Sequence, residues 1–194
     1  MVRTRSFDPG EALSAAVDLF MSKGFAETSM EDVVNTTGVS RYGLYGTFGN
    51  KRELFERALE LYADRIGKRS FQRLVEPNAG LDDFRRVFEE RIADVSCDHE
   101  TKACLFIHTA MELAPQDDDI RAVLQAFMTR ISKAFALGLK SSIETGEVRS
   151  DIDVRGTAEM LTSTMFGLGV MARTGFPKET LERIVESMLA SIAG

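Results

Sequence analysis

The stretch Thr28–Phe55, TSMEDVVNTTGVSRYGLYGTFGNKRELF, decides how this chain is read. Within it Gly43, Gly46 and Gly49 recur at every third position, and Lys51 follows. A phosphate-wrapping loop has glycines of this kind, but it ends in Gly-Lys-Ser/Thr between a strand and a helix. Here the run ends Gly49-Asn50-Lys51-Arg52, with no hydroxyl after the lysine and no strand pattern before it. A dinucleotide fingerprint needs a βαβ unit, and none is predicted. The helical reading fits better. Thr28-Ser29 starts a short helix with Val33 and Val34 inward, and Gly38 stops it. Ser40 then caps a second short helix, Arg41 to Phe48, anchored by Leu44 and Phe48 one turn apart. Two short helices about a tight turn form a helix-turn-helix.

The flanking sequence extends the pattern. Asp8-Pro9-Gly10-Glu11 reads as a helix start, and Leu13, Ala16, Val17 and Phe20 follow at the spacing of one buried face. Lys23 and Gly24 close that helix. Asn50 caps a longer helix whose inner face is Leu54, Phe55, Ala58, Leu59, Tyr62 and Ile66. Beyond Pro77-Asn78-Ala79-Gly80 the periodicity predicts helices over 81–98, 101–113, 117–145, 153–174 and 178–192. No alternating apolar run demands a strand. The fold class expected is all-α with about nine helices, a helix-turn-helix domain over 1–52 and a helical bundle over 53–194.

Composition sets bounds on function. The chain has 194 residues, 44% hydrophobic and 28% charged, with four prolines and two cysteines. The longest apolar-looking run, Met160 to Ala172, is interrupted by Thr, Ser and Gly and is too short for a bilayer. The N-terminus lacks the apolar core of a signal peptide. A cytoplasmic, reduced protein with no membrane partner is expected. Net charge is −6, yet residues 1–52 carry six basic and six acidic groups, so the acidity belongs to the rest. Arg3, Arg5, Arg41, Lys51 and Arg52 sit at segment ends, which permits a local basic surface. Two histidines and no carboxylate–histidine repeat give no convergent catalytic set, so no enzyme is expected. Cys97, His99, Cys104 and His108 form a metal-like group, but their spacing matches no standard zinc pattern. No metal and no cofactor is expected.

The residues Thr28-Ser29, Val33-Val34, Gly38-Val39-Ser40, Tyr45, Phe48, Lys51 and Leu54-Phe55 resemble the N-terminal domain of the tetracycline-repressor (TetR) family. The resemblance covers about residues 8–62 and implies a DNA-binding transcriptional regulator, a ligand-responsive repressor that binds a near-palindromic operator as a dimer and is released by a small apolar effector. It implies phosphate contacts at Tyr45 and Lys51 and from the amides near Asn50, with base edges read from Arg41 and Tyr42. Thr28, Ser29, Ser40, Gly43 and Thr47 fall in the same DNA-facing set, and Arg3 and Arg5 form an arm toward phosphates or the minor groove. Plainer roles fit some of these residues: a solvated charge at Arg41, a packing ring at Tyr45, and simple caps at Thr28 and Ser29. Gly43 and Gly46 depart from the usual pattern, and each lowers helix propensity by about 1 kcal/mol relative to Ala.

The resemblance also implies an effector pocket and a homodimer in the second half. Pocket candidates are Phe88, Cys104, Ile107, His108, Met111, Phe127, Ile131, Met165 and Phe166, which suit a small apolar effector, with His108 and Glu112 as its polar anchors. The same side chains fit a plain helical core. Dimer candidates on the last two helices are Met160, Leu161, Met165, Leu168, Leu181, Ile184, Val185 and Met188. Two other readings stay open: sensing of oxidants or electrophiles through Cys104, and a helical interaction protein that binds no DNA.

Overall fold

The computed structural model describes residues 7–96 and 104–194, so Arg3, Arg5, Cys97 and His99 lie outside the described residues. Nine α-helices account for the described fold: α1 (Pro9–Lys23), α2 (Met30–Thr37), α3 (Arg41–Phe48), α4 (Lys51–Ile66), α5 (Leu81–Ser96), α6 (Leu105–Glu112), α7 (Asp118–Glu144), α8 (Val154–Arg173) and α9 (Lys178–Ala190). No strand forms among the described residues; a single bridge pairs Val148 with Ala193.

Local chemistry sets most helix starts. Asp8 accepts from the amides of Gly10 and Glu11 with Pro9 in the first turn of α1. Ser29 and Asp32 exchange reciprocal contacts as a capping box on α2, and Asn50 and Glu53 do the same on α4. Ser40 accepts from the Gly43 amide, Asp117 from Ile120, and Asp153 from Arg155. Gly38 ends α2 in the left-handed region (φ 68°), which turns the chain tightly into α3.

The head of the molecule is α1 to α3 with the first half of α4. Its core is Ala16, Phe20, Val33, Leu44, Phe48, Leu54 and Phe55, and Phe20 meets Phe55 edge to face at 4.9 Å. The body is built by α5, α7, α8 and α9, where Phe84, Phe88 and Phe135 stack in the interior. The division between residues 52 and 53 falls inside α4, which lies along α1 in the head and continues into the body.

One element escaped the sequence reading. After Ile66, α4 loosens into a π turn, Gly67–Phe71, and then a short 3-10 turn, Arg73–Val75. The interruption lets the chain swing round α7 and α5, and it borders the cavity described below.

Candidate nucleic-acid interface

The second helix of the motif, α3, has only eight residues, and its grip on the head is narrow. Leu44 and Phe48 are buried, whereas Arg41, Tyr42, Tyr45 and Gly46 face solvent. Tyr42 is 86% exposed and Tyr45 41%. The Tyr42 ring is thus almost free of packing among the described residues, whereas the Tyr45 ring is partly covered. The Arg41 guanidinium lies 5.6 Å from the Tyr45 ring centroid, and its Nη2 is 3.5 Å from the Tyr45 hydroxyl. These two side chains therefore form one outward cluster of donors.

Two glycines on this helix have different surroundings. A Cβ on Gly43 would stand 3.2 Å from Val39 Cγ1 and 3.3 Å from Phe7 Cε1, so the residue packs beneath the start of the chain. A Cβ on Gly46 would meet no heavy atom of the described residues within 4 Å. None of the described neighbours asks for glycine at position 46.

The remaining expected DNA-facing residues divide. Ser29 and Ser40 are exposed caps, and Thr47 is half-buried with its carbonyl accepting from Arg57. Lys51 Nζ sits 4.3 Å from the Phe25 ring centroid and donates to the Ala26 carbonyl at 3.4 Å. Thr28 differs from expectation. It is fully buried and its hydroxyl donates to the Gly24 carbonyl at 2.6 Å, so it braces the α1–α2 turn instead of reaching a phosphate. Arg52 is also engaged, in ion pairs with Glu56 and Asp117.

The head is held to the body through α6. The Glu112 carboxylate accepts from the backbone amides of Phe25, at 2.9 Å, and Ala26. Gly24 makes this possible: it adopts φ 80°, and a Cβ there would stand 2.9 Å from Glu112 Oε2. His108, one turn earlier, lies beside the same glycine. Burial and the nearby Arg173 charge lower its pKa below 6.5. Glu112 is therefore a bracket for the turn ahead of α2, not the free ligand anchor its spacing suggested.

The other end of α6 borders a cavity of about 650 Å³ between α1, α4, the π turn and α5. Tyr62, Arg69, Arg91, Asp94 and Cys104 line it and continue into a narrow recess closed by Phe71, Phe127, Met165 and Phe166. Of the expected pocket residues, Cys104, Phe127, Met165 and Phe166 thus come together, and Ile131 faces an adjoining groove with Phe127. Phe88 does not join them, because its ring is wholly buried against Phe135. Met111 points outward at 78% exposure, on the face of α6 opposite the core. Ile107 is half-buried against Gly169. The sequence reading missed Arg69, Asp94 and above all Arg91, whose position within the apolar Phe88–Ile92–Val95 stripe of α5 was the available signal. Burial pushes the Tyr62 phenol well above its usual pKa, with Cys104 adding to the effect, so it remains a neutral donor. Among the described residues no cluster of three or more His, Cys, Asp and Glu could hold a metal.

Comparison with known proteins places this architecture. Residues 12–58 match the bacterial regulatory proteins of the tetR family, and residues 80–188 match the tetracyclin repressor-like C-terminal domain. The chain belongs to the TetR family of transcriptional regulators. Among its relatives is the HTH-type regulator YezE of Bacillus subtilis, 27% identical over 98% of each chain. The HTH-type repressor ComR of Escherichia coli is 29% identical, over 96% of this chain and 90% of that protein. A cysteine mutant of the TetR-family regulator CifR, solved with 26-bp operator DNA, superposes with a TM-score of 0.85 at 26% identity, covering 98% of this chain and 99% of its own. These relatives are regulators, not enzymes. Among the described residues no helix is long and apolar enough to cross a membrane.

In this TetR-family chain the expected dimer residues need correction. Leu161, Met165, Leu168, Leu181, Val185 and Met188 are buried within the chain's own core, against α5 and α7. A side chain already covered by its own fold has no surface left for a partner. Met160 and Ile184 keep exposure, and the outward faces of α8 and α9 add Ser163, Gly167, Val170 and Ser187. The most apolar stripe of each helix is the internal one; the outward stripe is smaller and more polar.

Proposed function

We propose that this TetR-family regulator binds a near-palindromic operator as a homodimer, that α3 reads the major groove, and that a small molecule in the interior cavity releases the DNA. The observation that carries the reading is the outward face of α3. Arg41, Tyr42 and Tyr45 stand exposed on a helix held by two buried residues, and Gly46 offers bare backbone beside them. CifR, with the same fold and 26% identity, was solved on operator DNA, which supports carrying that arrangement here. Arg41 would form a two-pronged contact with guanine, while Tyr45, Lys51 and the amides at the start of α4 meet phosphates. Ser29, Ser40, Gly43 and Thr47 border the same surface. The outward faces of α8 and α9 join two copies so that the two α3 helices fall about 34 Å apart. An effector that favours the DNA-incompetent arrangement shifts the population toward it.

Selecting bound duplexes from a random pool tests this reading, with a symmetric consensus as the expected result. Lys51→Ala should weaken binding to all sequences alike and reduce the salt slope by about one. A protein that is not retained on DNA even at low salt would instead be a helical interaction protein. A second reading has its own observation: Cys104 lines the cavity beside the Tyr62 hydroxyl, where an incoming electrophile or oxidant would meet it. Release of DNA by peroxide in the wild type but not in Cys104→Ser would favour it, and equal release in both would exclude it.

A further inference from the structure

Arg91 is the residue that DNA binding leaves unexplained. It projects from the apolar stripe of α5, and its Nε donates to the Met165 carbonyl at 3.2 Å. Among the described residues its Nη2 is buried without a hydrogen-bond partner. A buried guanidinium N–H that has left water without finding an acceptor is strongly unfavourable. The fold nevertheless makes room for it. A Cβ on Gly169 would stand 2.0 Å from Nη2, so α8 has no side chain where the guanidinium lies.

The charges that face the cavity come from three directions. Asp18 projects from α1, Arg65, Lys68 and Arg69 from α4 and the π turn, and Asp94 from α5 beside Arg91. Asp94 is paired with Arg69, which also lies 3.9 Å from Glu90. Among the described lining residues the cations exceed the carboxylates by two, and Arg91, with Arg69, also borders the narrow recess walled by Phe71, Phe127, Met165 and Phe166.

We propose that the cavity takes a small aromatic or aliphatic carboxylate, its anionic end on Arg91 and its apolar body against Val17, Met21, Ile66 and Val95, which line the roomy part of the cavity. This rests on the effector reading above and replaces the purely apolar ligand that the sequence suggested. The planar guanidinium matches a carboxylate in two parallel hydrogen bonds. A neutral hydrocarbon would offer the guanidinium no acceptor. A doubly charged phosphate would lie against Asp94, which faces the same space.

The test titrates the DNA-free full chain with two matched pairs: naphthalene-2-carboxylate against naphthalene-2-carboxamide, and octanoate against octanamide. At least one acid should bind about tenfold or more tightly than its amide, the effect of hydrogen bonds to a charged group. Arg91→Met should remove that difference, and Arg91→Lys should restore only part of it. Without ligand, Arg91→Met should melt no lower than the wild type, because it removes a buried N–H that has no acceptor among the described residues. Equal affinity for acid and amide, failure of both pairs to bind, or a clearly lower melting temperature for Arg91→Met would overturn the proposal. Operator release by the acids is measured separately. Arg91-dependent binding that leaves the DNA in place would keep the carboxylate site and reject the effector reading.

Discussion

Replacing Glu112 by Ala severs the bracket between α6 and the head. In the wild type this carboxylate accepts from the Phe25 amide at 2.9 Å and from the Ala26 amide. The Ala26 amide is exposed and regains water, so its loss is small. The Phe25 amide is partly buried and is left short of an acceptor. Hydrogen bonds to charged groups contribute roughly 1.5–3 kcal/mol, and the partial exposure favours the lower half, about 2 kcal/mol. For a chain of this size that corresponds to a fall in melting temperature of about 4–8 °C. Differential scanning calorimetry measures it directly. A functional consequence follows from the course of α6, which starts at Cys104 on the cavity and ends at Glu112 on the turn before α2. Glu112→Ala should still bind operator in the absence of effector, but effector should release it less completely. An unchanged melting temperature would show that the bracket contributes nothing to stability. Undiminished release by effector would show that the cavity speaks to the head by another route.

Three further outcomes are expected. Gly46→Ala should stabilise the free protein by about 1 kcal/mol, since its Cβ enters open space, whereas Gly43→Ala should gain less because of Val39 and Phe7; chemical denaturation of both variants decides this, and equal gains would contradict the packing. His108 has a pKa lowered from 6.5 by burial and by Arg173, so the folded state resists its protonation. Its contribution to stability is present above pH 6.5 and is lost as the pH falls below it, and His108→Gln should flatten that part of the pH–stability curve. Asp117 has a pKa lowered from 3.8 to about 2 by the Arg52 guanidinium and the Ile120 amide. Its contribution, present above pH 3.8, should fade as the pH drops toward 2, and Asp117→Asn should lack this acid-dependent loss.

Much of the fold was legible because helix ends are local chemistry. Asp8, Ser29, Ser40 and Asn50 were readable as caps, and each accepts the amide bonds that its side chain predicts. Leu44 and Phe48 were readable as the anchors of α3 for the same reason of spacing. What depends on distant parts of the chain was less legible. Thr28 has the right chemistry for a cap or a phosphate contact, and it is the packing of the α1–α2 turn that buries it, with its hydroxyl turned back on the Gly24 carbonyl. Glu112 looked like a ligand anchor because nothing local reveals that Phe25, 87 positions away, presents an amide to it. On α8 and α9 periodicity singles out the most apolar stripe, which the monomer has already used. The purpose of Arg91 was hidden because a lone charge in an apolar stripe announces a conflict without naming its resolution.

The shallow seating of α3 has an evolutionary consequence. Arg41, Tyr42, Tyr45 and Gly46 contribute little to holding the head together, while Leu44 and Phe48 do most of that work. On the proposed reading of α3, sequence preference and foldability are written on separate residues of one helix. A descendant of this protein could then be re-addressed to a different promoter by a few changes on the outer face, while the core of the head and the cavity stay as they are.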